Sequence, residues 1–220
     1  MTNALTTDCC RLVLVRHEHT AMAGTFCGHS DPPLSAQGKA QLKEVIQRLR
    51  MYSFQCVYSS DLCRAAQTAR HIARARHVPL YLRSDLREIA FGEWEGLDWP
   101  RIVARDPEYA QRWLALYPNL GIPGGEPFGE FQARITRAMN EIALELPGGC
   151  AAIVTHAGVI RTFLQDVLLS PEQVLQFATP TYGSGIEVWQ RKGRWVFPAF
   201  EDEAVGAPEH LPEAHSKVRT

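Results

Sequence analysis

The feature that most constrains the fold is the alternation of short apolar runs with segments of helical periodicity. Residues 11–16, 54–58 and 150–155 are apolar runs of strand length. Between the first two, residues 35–50 carry apolar side chains at the i, i+3, i+4 and i+7 spacing of one helix face. Strands that alternate with helices predict an α/β class of fold, a three-layer sandwich with a mostly parallel central sheet and helices on both faces.

Further elements follow the same alternation. A helix is predicted after Ser60 and Asp61, which are residue types that favour a helix N-cap. Residues 79–82 are typical of an edge strand, and a helix is predicted over residues 158–168. Two more strands, 184–190 and 194–197, predict a terminal hairpin around Lys192-Gly193.

One stretch departs from the alternation. Residues 93–148 contain helical segments but no clear strand, and prolines and glycines interrupt them near residues 118–125. Such an insertion is expected to form a small helical cap over the edge of the sheet where α/β folds bind ligands. We therefore predict a single domain over residues 9–200, followed by a polar tail, residues 201–220, that is a surface arm or disordered.

Composition excludes several classes of function. Lysine and arginine number 23 against 24 aspartates and glutamates, so the net charge of −1 offers no general attraction for nucleic acid or an anionic membrane surface. No apolar run is long enough to cross a bilayer, and the first eight residues do not resemble a secretion signal. Six scattered cysteines predict free thiols, so we expect a cytoplasmic protein without nucleic-acid or membrane partners.

Polar residues that could take part in a reaction follow three of the predicted strands. Arg16 and His17 end the first strand, Arg64 follows the second, and His156 follows the strand over residues 150–155. Parallel strands would bring these side chains to one edge of the sheet. Guanidinium groups match phosphate oxygens, helix N-termini favour an anion, and an imidazole can attack phosphorus. The strand ends therefore predict a phosphate site.

A fourth segment supplies acidic groups. Residues 86–96 carry Glu88, Glu93 and Glu95 among aromatic side chains. One of these carboxyl groups is expected to protonate a departing alkoxide, for which its pKa must be raised by burial or by a bound anion. The residues alone do not choose among the three.

Other interpretations of the same residues stay open at this stage. Arg16 and His17 fit a surface pair, and Arg64 fits a solvated helix position. His156 fits a histidine of the core, and His17 with His19 has the alternate spacing of a metal pair, although no further ligand has diagnostic spacing. Four aromatic residues of the predicted cap fit either the wall of a substrate pocket or cap packing: Trp94, Trp99, Trp113 and Tyr117.

Four segments together resemble the histidine phosphatase superfamily, in the branch that contains phosphoglycerate mutases. Residues 16–20 (RHEHT) are similar to its Arg-His-Gly signature, and residues 60–69 (SDLCRAAQTA) to its second element. Residues 86–96 (LREIAFGEWEG) and 155–161 (THAGVIR) match its acid-bearing and last elements. The four occur in the order of the family.

The resemblance assigns roles to particular residues. It implies that His17 is the nucleophile and becomes phosphohistidine, and that Glu88 is the general acid and later the base. It further implies that Arg16, Arg64 and His156 bind the phosphoryl oxygens. It adds four residues to the phosphate or substrate site: Thr20, Cys27, Gly28 and Ala157. No metal and no cofactor is implied, because arginine and imidazole groups stabilise the charge.

The sequence also departs from the family pattern. Glu18 stands where the family has glycine, His19 where glutamate is usual, and Ala23 where many members have asparagine. A carboxylate at position 18 would either repel phosphate or point away from the pocket.

The resemblance is nearest to the α-ribazole and small-molecule phosphatases, through residues 26–35 and 123–126. The stretch between Glu88 and His156 is shorter than in cofactor-dependent mutases. We expect a metal-independent phosphomonoesterase that acts on a small phosphorylated metabolite, with α-ribazole 5'-phosphate as a candidate. A mutase and a phosphate-ester-binding relative without catalysis are the alternatives. A homodimer through an exposed edge strand is also plausible.

Overall fold

The computed structural model describes residues 9–167 and 180–198. Six strands form one sheet: β1 (Cys9–Arg16), β2 (Cys56–Ser60), β3 (Leu80–Arg83), β4 (Cys150–Thr155), β5 (Gly185–Arg191) and β6 (Arg194–Val196). Their order is β3-β2-β4-β1-β5-β6. The strands β3, β2, β4 and β1 are parallel, β5 is antiparallel to β1, and β6 is antiparallel to β5. The predicted mostly parallel sheet, its edge strand β3 and the terminal hairpin are confirmed.

Helices cover both faces of this sheet. They are α1 (Ala36–Arg48), α2 (Cys63–Arg76), α3 (Trp99–Arg105), α4 (Pro107–Leu116), α5 (Phe128–Glu145) and α6 (Ala157–Val167). In β1, Leu12 and Leu14 pack with α5 and α6, while Val13 and Val15 pack with α1 and α2. Both faces of a central parallel strand are covered, which explains why β1 is a continuous apolar run.

The start of α2 differs from the sequence prediction. The helix begins at Cys63 after Leu62, and neither Ser60 nor Asp61 is its N-cap residue. The Cys63 N–H donates instead to the Asp31 carboxylate at 2.5 Å. The predicted capping residues contact other groups, since Ser60 Oγ lies 2.9 Å from His156 Nε2 and the Asp61 carboxylate pairs with Arg87.

The predicted cap span, residues 93–148, contains two different structures. The first part, with α3 and α4, forms a separate apolar cluster around Trp94, Ile102 and Ala110. The last part is α5, whose Ile135 and Met139 are fully buried against the sheet. The cap is therefore smaller than predicted, because α5 has enough apolar surface on one side to belong to the sandwich.

The sheet order places the polar strand ends side by side. β4 lies between β1 and β2, and Arg16 is in register with Thr155. The residues that follow these three strands therefore meet at one edge. None of the helices in the described ranges is long and apolar enough to span a bilayer. The predicted tail, residues 201–220, and the last residue of the predicted helix 158–168 lie outside the described residues.

Candidate active site

His17 lies at the centre of this edge, directly after β1. Its backbone N–H donates to the Thr155 carbonyl at 2.9 Å, which ties the residue to the end of β4. Its side-chain Nδ1 lies 2.7 Å from the Glu18 backbone carbonyl. A carbonyl only accepts hydrogen bonds, so Nδ1 carries the proton and Nε2 keeps its lone pair. The geometry thus leaves Nε2 free to act as a nucleophile.

The surroundings of His17 hold the imidazole in its neutral form. Burial, together with the positive charges of Arg64 and Arg16, lowers the pKa of His17 to about 3. The hydrogen bond to the Glu18 carbonyl opposes this shift but does not cancel it. At neutral pH the side chain is therefore an uncharged imidazole surrounded by positive charge, as attack on a phosphate ester requires.

His156 packs edge-on against His17, with the two ring centroids 5.1 Å apart. It is 1% exposed, and its Nε2 lies 2.9 Å from Ser60 Oγ. Its Nδ1 is buried and has no hydrogen-bond partner among the described residues. Burial, and then the charge of Arg64, lowers the pKa of His156 well below its usual value.

Arg64 is almost completely enclosed at this edge. It is 1% exposed and lies in the first turn of α2. Its guanidinium donates to the backbone carbonyls of Cys27, Gly28 and Ser30 at 3.1, 2.8 and 2.7 Å. These bonds fix the position of the charge in the cavity wall, so Arg64 is not the solvated helix residue that its sequence context also allowed.

Arg16 is held by two residues of the segment that precedes β5. Its Nη1 donates to the Pro180 carbonyl at 2.8 Å, and its guanidinium lies 3.8 Å from the centroid of the Tyr182 ring. Its Nε is buried without a partner among the described residues. Sequence analysis missed Tyr182, because a tyrosine in the segment before β5 has no local signal of its role.

The structure distinguishes the three glutamates of the acidic segment. Glu88 is buried and lines the cavity, where its carboxylate accepts from the Gly158 N–H at 2.9 Å and from the Ile89 N–H at 3.0 Å. Glu93 is exposed and pairs with a surface arginine, while Glu95 is turned toward a neighbouring loop. Only Glu88 of the three lines the cavity, so it is the one placed to exchange a proton with a bound ester.

Arg134 supports the backbone around Glu88 and was also missed from sequence. It extends from α5 and donates to the carbonyls of Asp85, Arg87 and Glu88 at 2.9, 2.8 and 3.0 Å. A bidentate ion pair with Glu126 holds its guanidinium in place. An arginine within an amphipathic helix looks like a surface residue in the sequence, so only its tertiary contacts reveal it.

Glu18, the departure from the family pattern, does not line the cavity. Its carboxyl is buried next to Gly183, where any Cβ would overlap it. Burial raises the pKa of Glu18, and its Oε1 has no hydrogen-bond partner among the described residues. Of the two orientations considered from the sequence, Glu18 therefore adopts the one that points away from the pocket.

The remaining predicted site residues divide into two groups. Thr20, Cys27 and Ala157 line the cavity, with Thr20 Oγ1 also accepting from the Met22 N–H at 3.2 Å. Gly28 does not line it and contributes its backbone carbonyl to Arg64 instead. Within residues 9–167 and 180–198, no three His, Cys, Asp or Glu side chains are grouped as metal ligands.

The cavity has a volume of about 570 Å³ and extends from His17 to the cap. Trp99, Trp113 and Tyr117 line its cap side, whereas Trp94 is buried inside the cap cluster. Three of the four aromatic residues in question therefore belong to the cavity wall, and one to cap packing. The space between His17 and the cap is large enough for a small metabolite with an apolar face.

The two buried histidines are expected to make stability depend strongly on pH. Both are neutral when folded but bind a proton near pH 6.5 when unfolded, so acid favours the unfolded chain. The free energy of unfolding should fall by about 1.4 kcal/mol per pH unit for each histidine between about pH 6 and 4. Urea unfolding from pH 4 to 8 measures this slope, and His17→Asn should remove half of the two-histidine contribution. If the slope of unfolding free energy against pH were the same in His17→Asn, His17 would not be the source of that half.

Comparisons with known proteins show the family of this chain. The profile of the histidine phosphatase superfamily (branch 1) matches residues 12–203. An adenosylcobalamin/alpha-ribazole phosphatase from Salmonella typhimurium is 32% identical over 201 residues, covering 90% of this chain and all of that protein. A metal-independent phosphoserine phosphatase from Arabidopsis thaliana is 31% identical, covering 87% of this chain and 81% of that protein.

Solved structures show the same fold. The alpha-ribazole phosphatase from Shigella flexneri superposes with a TM-score of 0.75 at 26% identity, covering 85% of this chain and 94% of that one. An α/β sandwich with arginine and histidine side chains at the carboxyl edge of its sheet, together with these relatives, defines a phosphatase that hydrolyses phosphate esters. The chain belongs to the histidine phosphatase superfamily, in branch 1.

Proposed function

We propose that this protein is a metal-independent phosphomonoesterase that acts through a phosphohistidine on a small phosphorylated metabolite, with α-ribazole 5'-phosphate as the leading candidate substrate. The observation that carries the proposal is the state of His17. Its imidazole is neutral, with Nε2 free, and lies in the same cavity wall as Arg16, Arg64 and Glu88.

In the first half-reaction, His17 Nε2 attacks phosphorus and forms a P–N bond. The bond between phosphorus and the ester oxygen breaks, and protonated Glu88 donates its proton to that oxygen, so the product leaves as a neutral alcohol. The guanidinium groups of Arg64 and Arg16 stabilise the charge on the phosphoryl oxygens.

In the second half-reaction, water attacks the phosphohistidine. Glu88 is now a carboxylate, and it accepts a proton from the attacking water while the P–N bond breaks. Inorganic phosphate is released, His17 regains the lone pair on Nε2, and Glu88 is again protonated. The same carboxyl serves both halves, because each half leaves it in the state that the other needs.

The substrate proposal is supported by the cavity and by the relatives. The wall beyond Glu88 carries Trp99, Trp113 and Tyr117, against which a flat aromatic leaving group can pack. α-Ribazole 5'-phosphate is a nucleotide whose base is such a group. Relatives named alpha-ribazole phosphatase are similar to this chain in sequence and have the same fold over most of its length.

A substrate panel measured in excess EDTA tests the proposal. Phosphate release is compared for α-ribazole 5'-phosphate, phosphoserine, 3-phosphoglycerate and p-nitrophenyl phosphate. We expect EDTA-resistant turnover, with kcat/KM of at least about 10⁴ M⁻¹ s⁻¹ for α-ribazole 5'-phosphate. Loss of activity in EDTA would contradict metal independence. Isomerisation of 3-phosphoglycerate that depends on 2,3-bisphosphoglycerate would replace the phosphatase by a mutase.

A further inference from the structure

The carboxylate of Glu95 organises a loop next to the site. It accepts hydrogen bonds from the consecutive backbone N–H groups of Gly28, His29 and Ser30 at 3.1, 2.8 and 3.1 Å. Ser30 Oγ and the Phe91 N–H donate to it as well, at 2.6 and 3.0 Å. Five donors converge on one side chain, and four of them belong to residues 28–30.

This arrangement requires Glu95 to be ionised. Burial alone would raise the pKa of Glu95, but the hydrogen bonds from Ser30, Phe91 and His29 outweigh it and keep that pKa below the usual value. An ionised carboxylate that accepts from several N–H groups forms stronger hydrogen bonds than a neutral acceptor does. The N–H groups of the loop are therefore held by a charged acceptor.

The other side of the same loop holds two groups of the proposed site. The carbonyls of Cys27, Gly28 and Ser30 accept from the Arg64 guanidinium. The His29 ring nitrogen Nε2 lies 3.1 Å from the Glu88 backbone carbonyl. Residues 27–30 thus present N–H groups to Glu95 and carbonyls to Arg64, while one side chain reaches the acid segment.

We infer that Glu95 is a positioning residue, which places Arg64 and Glu88 relative to His17 by ordering residues 27–30. The inference rests on the proposed function of those three residues. Glu95 itself does not line the cavity and so does not touch the ester. Without its carboxylate, three adjacent N–H groups lose their acceptor and the carbonyls facing Arg64 lose their fixed orientation.

Glu95→Gln is the variant that tests this inference. Glutamine has the same shape, but its NH₂ group would face the N–H donors of the loop and cannot accept from them. We expect affinity for inorganic phosphate, measured by calorimetry, to fall by about tenfold or more, the scale of one hydrogen bond to a charged group. We expect kcat/KM for p-nitrophenyl phosphate to fall by about 100-fold, the scale of a small misplacement of catalytic groups.

Glu93→Gln is the matched control, because Glu93 lies in the same segment but is exposed and pairs with Arg105 on the surface. This variant should keep the phosphate affinity and kcat/KM of the unsubstituted protein. Thermal unfolding of both variants by circular dichroism separates loss of folding from loss of position. A Glu95→Gln protein that is less stable, but binds phosphate and turns over normally well below its Tm, would overturn the inference.

A double-mutant cycle with Arg64→Ala decides whether Glu95 acts through Arg64. If it does, Glu95→Gln should reduce kcat/KM much less in the Arg64→Ala background than in the unsubstituted protein. Equal reductions in both backgrounds would overturn the part of the inference by which Glu95 places Arg64. Failure of the proposed function has a different signature, because the unsubstituted protein itself would then not hydrolyse the ester.

Discussion

Replacement of His17 by alanine is expected to abolish turnover, with kcat reduced by at least about 10⁴-fold, on the scale of nucleophile removal in other covalent hydrolases. The reason for this loss is that His17 Nε2 carries a free lone pair in the same cavity wall as the guanidinium groups of Arg16 and Arg64. His156 is the nearest other imidazole, but its Nε2 lies against Ser60 Oγ. It therefore does not replace the lost nucleophile.

Rapid quenching with a ³²P-labelled ester gives the direct readout. The unsubstituted protein should yield a phosphoenzyme that is stable in base and labile in acid, as a phosphohistidine is, and His17→Ala should yield none. His71→Ala is the control, since His71 lies on α2 two turns beyond Arg64 and does not line the cavity. Phosphoenzyme that persists in His17→Ala would assign the nucleophile to another residue.

Replacement of Glu88 by glutamine is expected to affect substrates according to their leaving group. Glutamine keeps an acceptor for the Gly158 N–H but cannot transfer a proton. For an alkyl phosphate, whose alkoxide needs protonation, kcat/KM should fall by about 10² to 10⁴-fold, the usual contribution of a general acid. For p-nitrophenyl phosphate, whose phenolate leaves without a proton, kcat/KM should change by less than about tenfold.

The second half-reaction provides a further signature of Glu88. Since the carboxylate also activates water in the proposed mechanism, Glu88→Gln should slow the breakdown of the proposed phosphohistidine even when p-nitrophenol leaves normally. Stopped-flow measurements should then show a burst of p-nitrophenol followed by slow turnover. Glu93→Gln, with its exposed carboxyl changed in the same way, should show neither effect. Equal losses of kcat/KM for both leaving groups would show that Glu88 is not the general acid.

Much of the site could be predicted because its main groups follow strands directly. Arg16, His17 and His156 lie at the ends of apolar runs, and a mostly parallel sheet necessarily brings such ends to one edge. The residues taken alone did not choose among three glutamates, and only the family resemblance pointed to Glu88, since Glu88, Glu93 and Glu95 lie within eight residues and differ only in what the fold puts beside them. Burial of the first, exposure of the second and the five donors around the third separate them.

Tyr182 and Arg134 could not have been predicted, because each acts through a partner that is distant in sequence. Tyr182 packs under Arg16, and Arg134 holds carbonyls that lie 46 to 49 residues earlier in the chain. The same reason explains the error at the start of α2. The N–H group of Cys63, the first residue of α2, donates to the Asp31 carboxylate, 32 residues earlier, and not to the predicted capping residues.

The sequence by itself determined the class of fold, the strand ends that carry reactive groups and the family to which the chain belongs. These depend on spacing along the chain, since the period of apolar residues sets strand or helix and the end of a strand sets the place of the next side chain. Tertiary contacts were needed to show which groups are buried, which of the three carboxyls lines the cavity and what holds Arg64. Such properties arise when segments far apart in the sequence exclude water together and satisfy each other's polar groups.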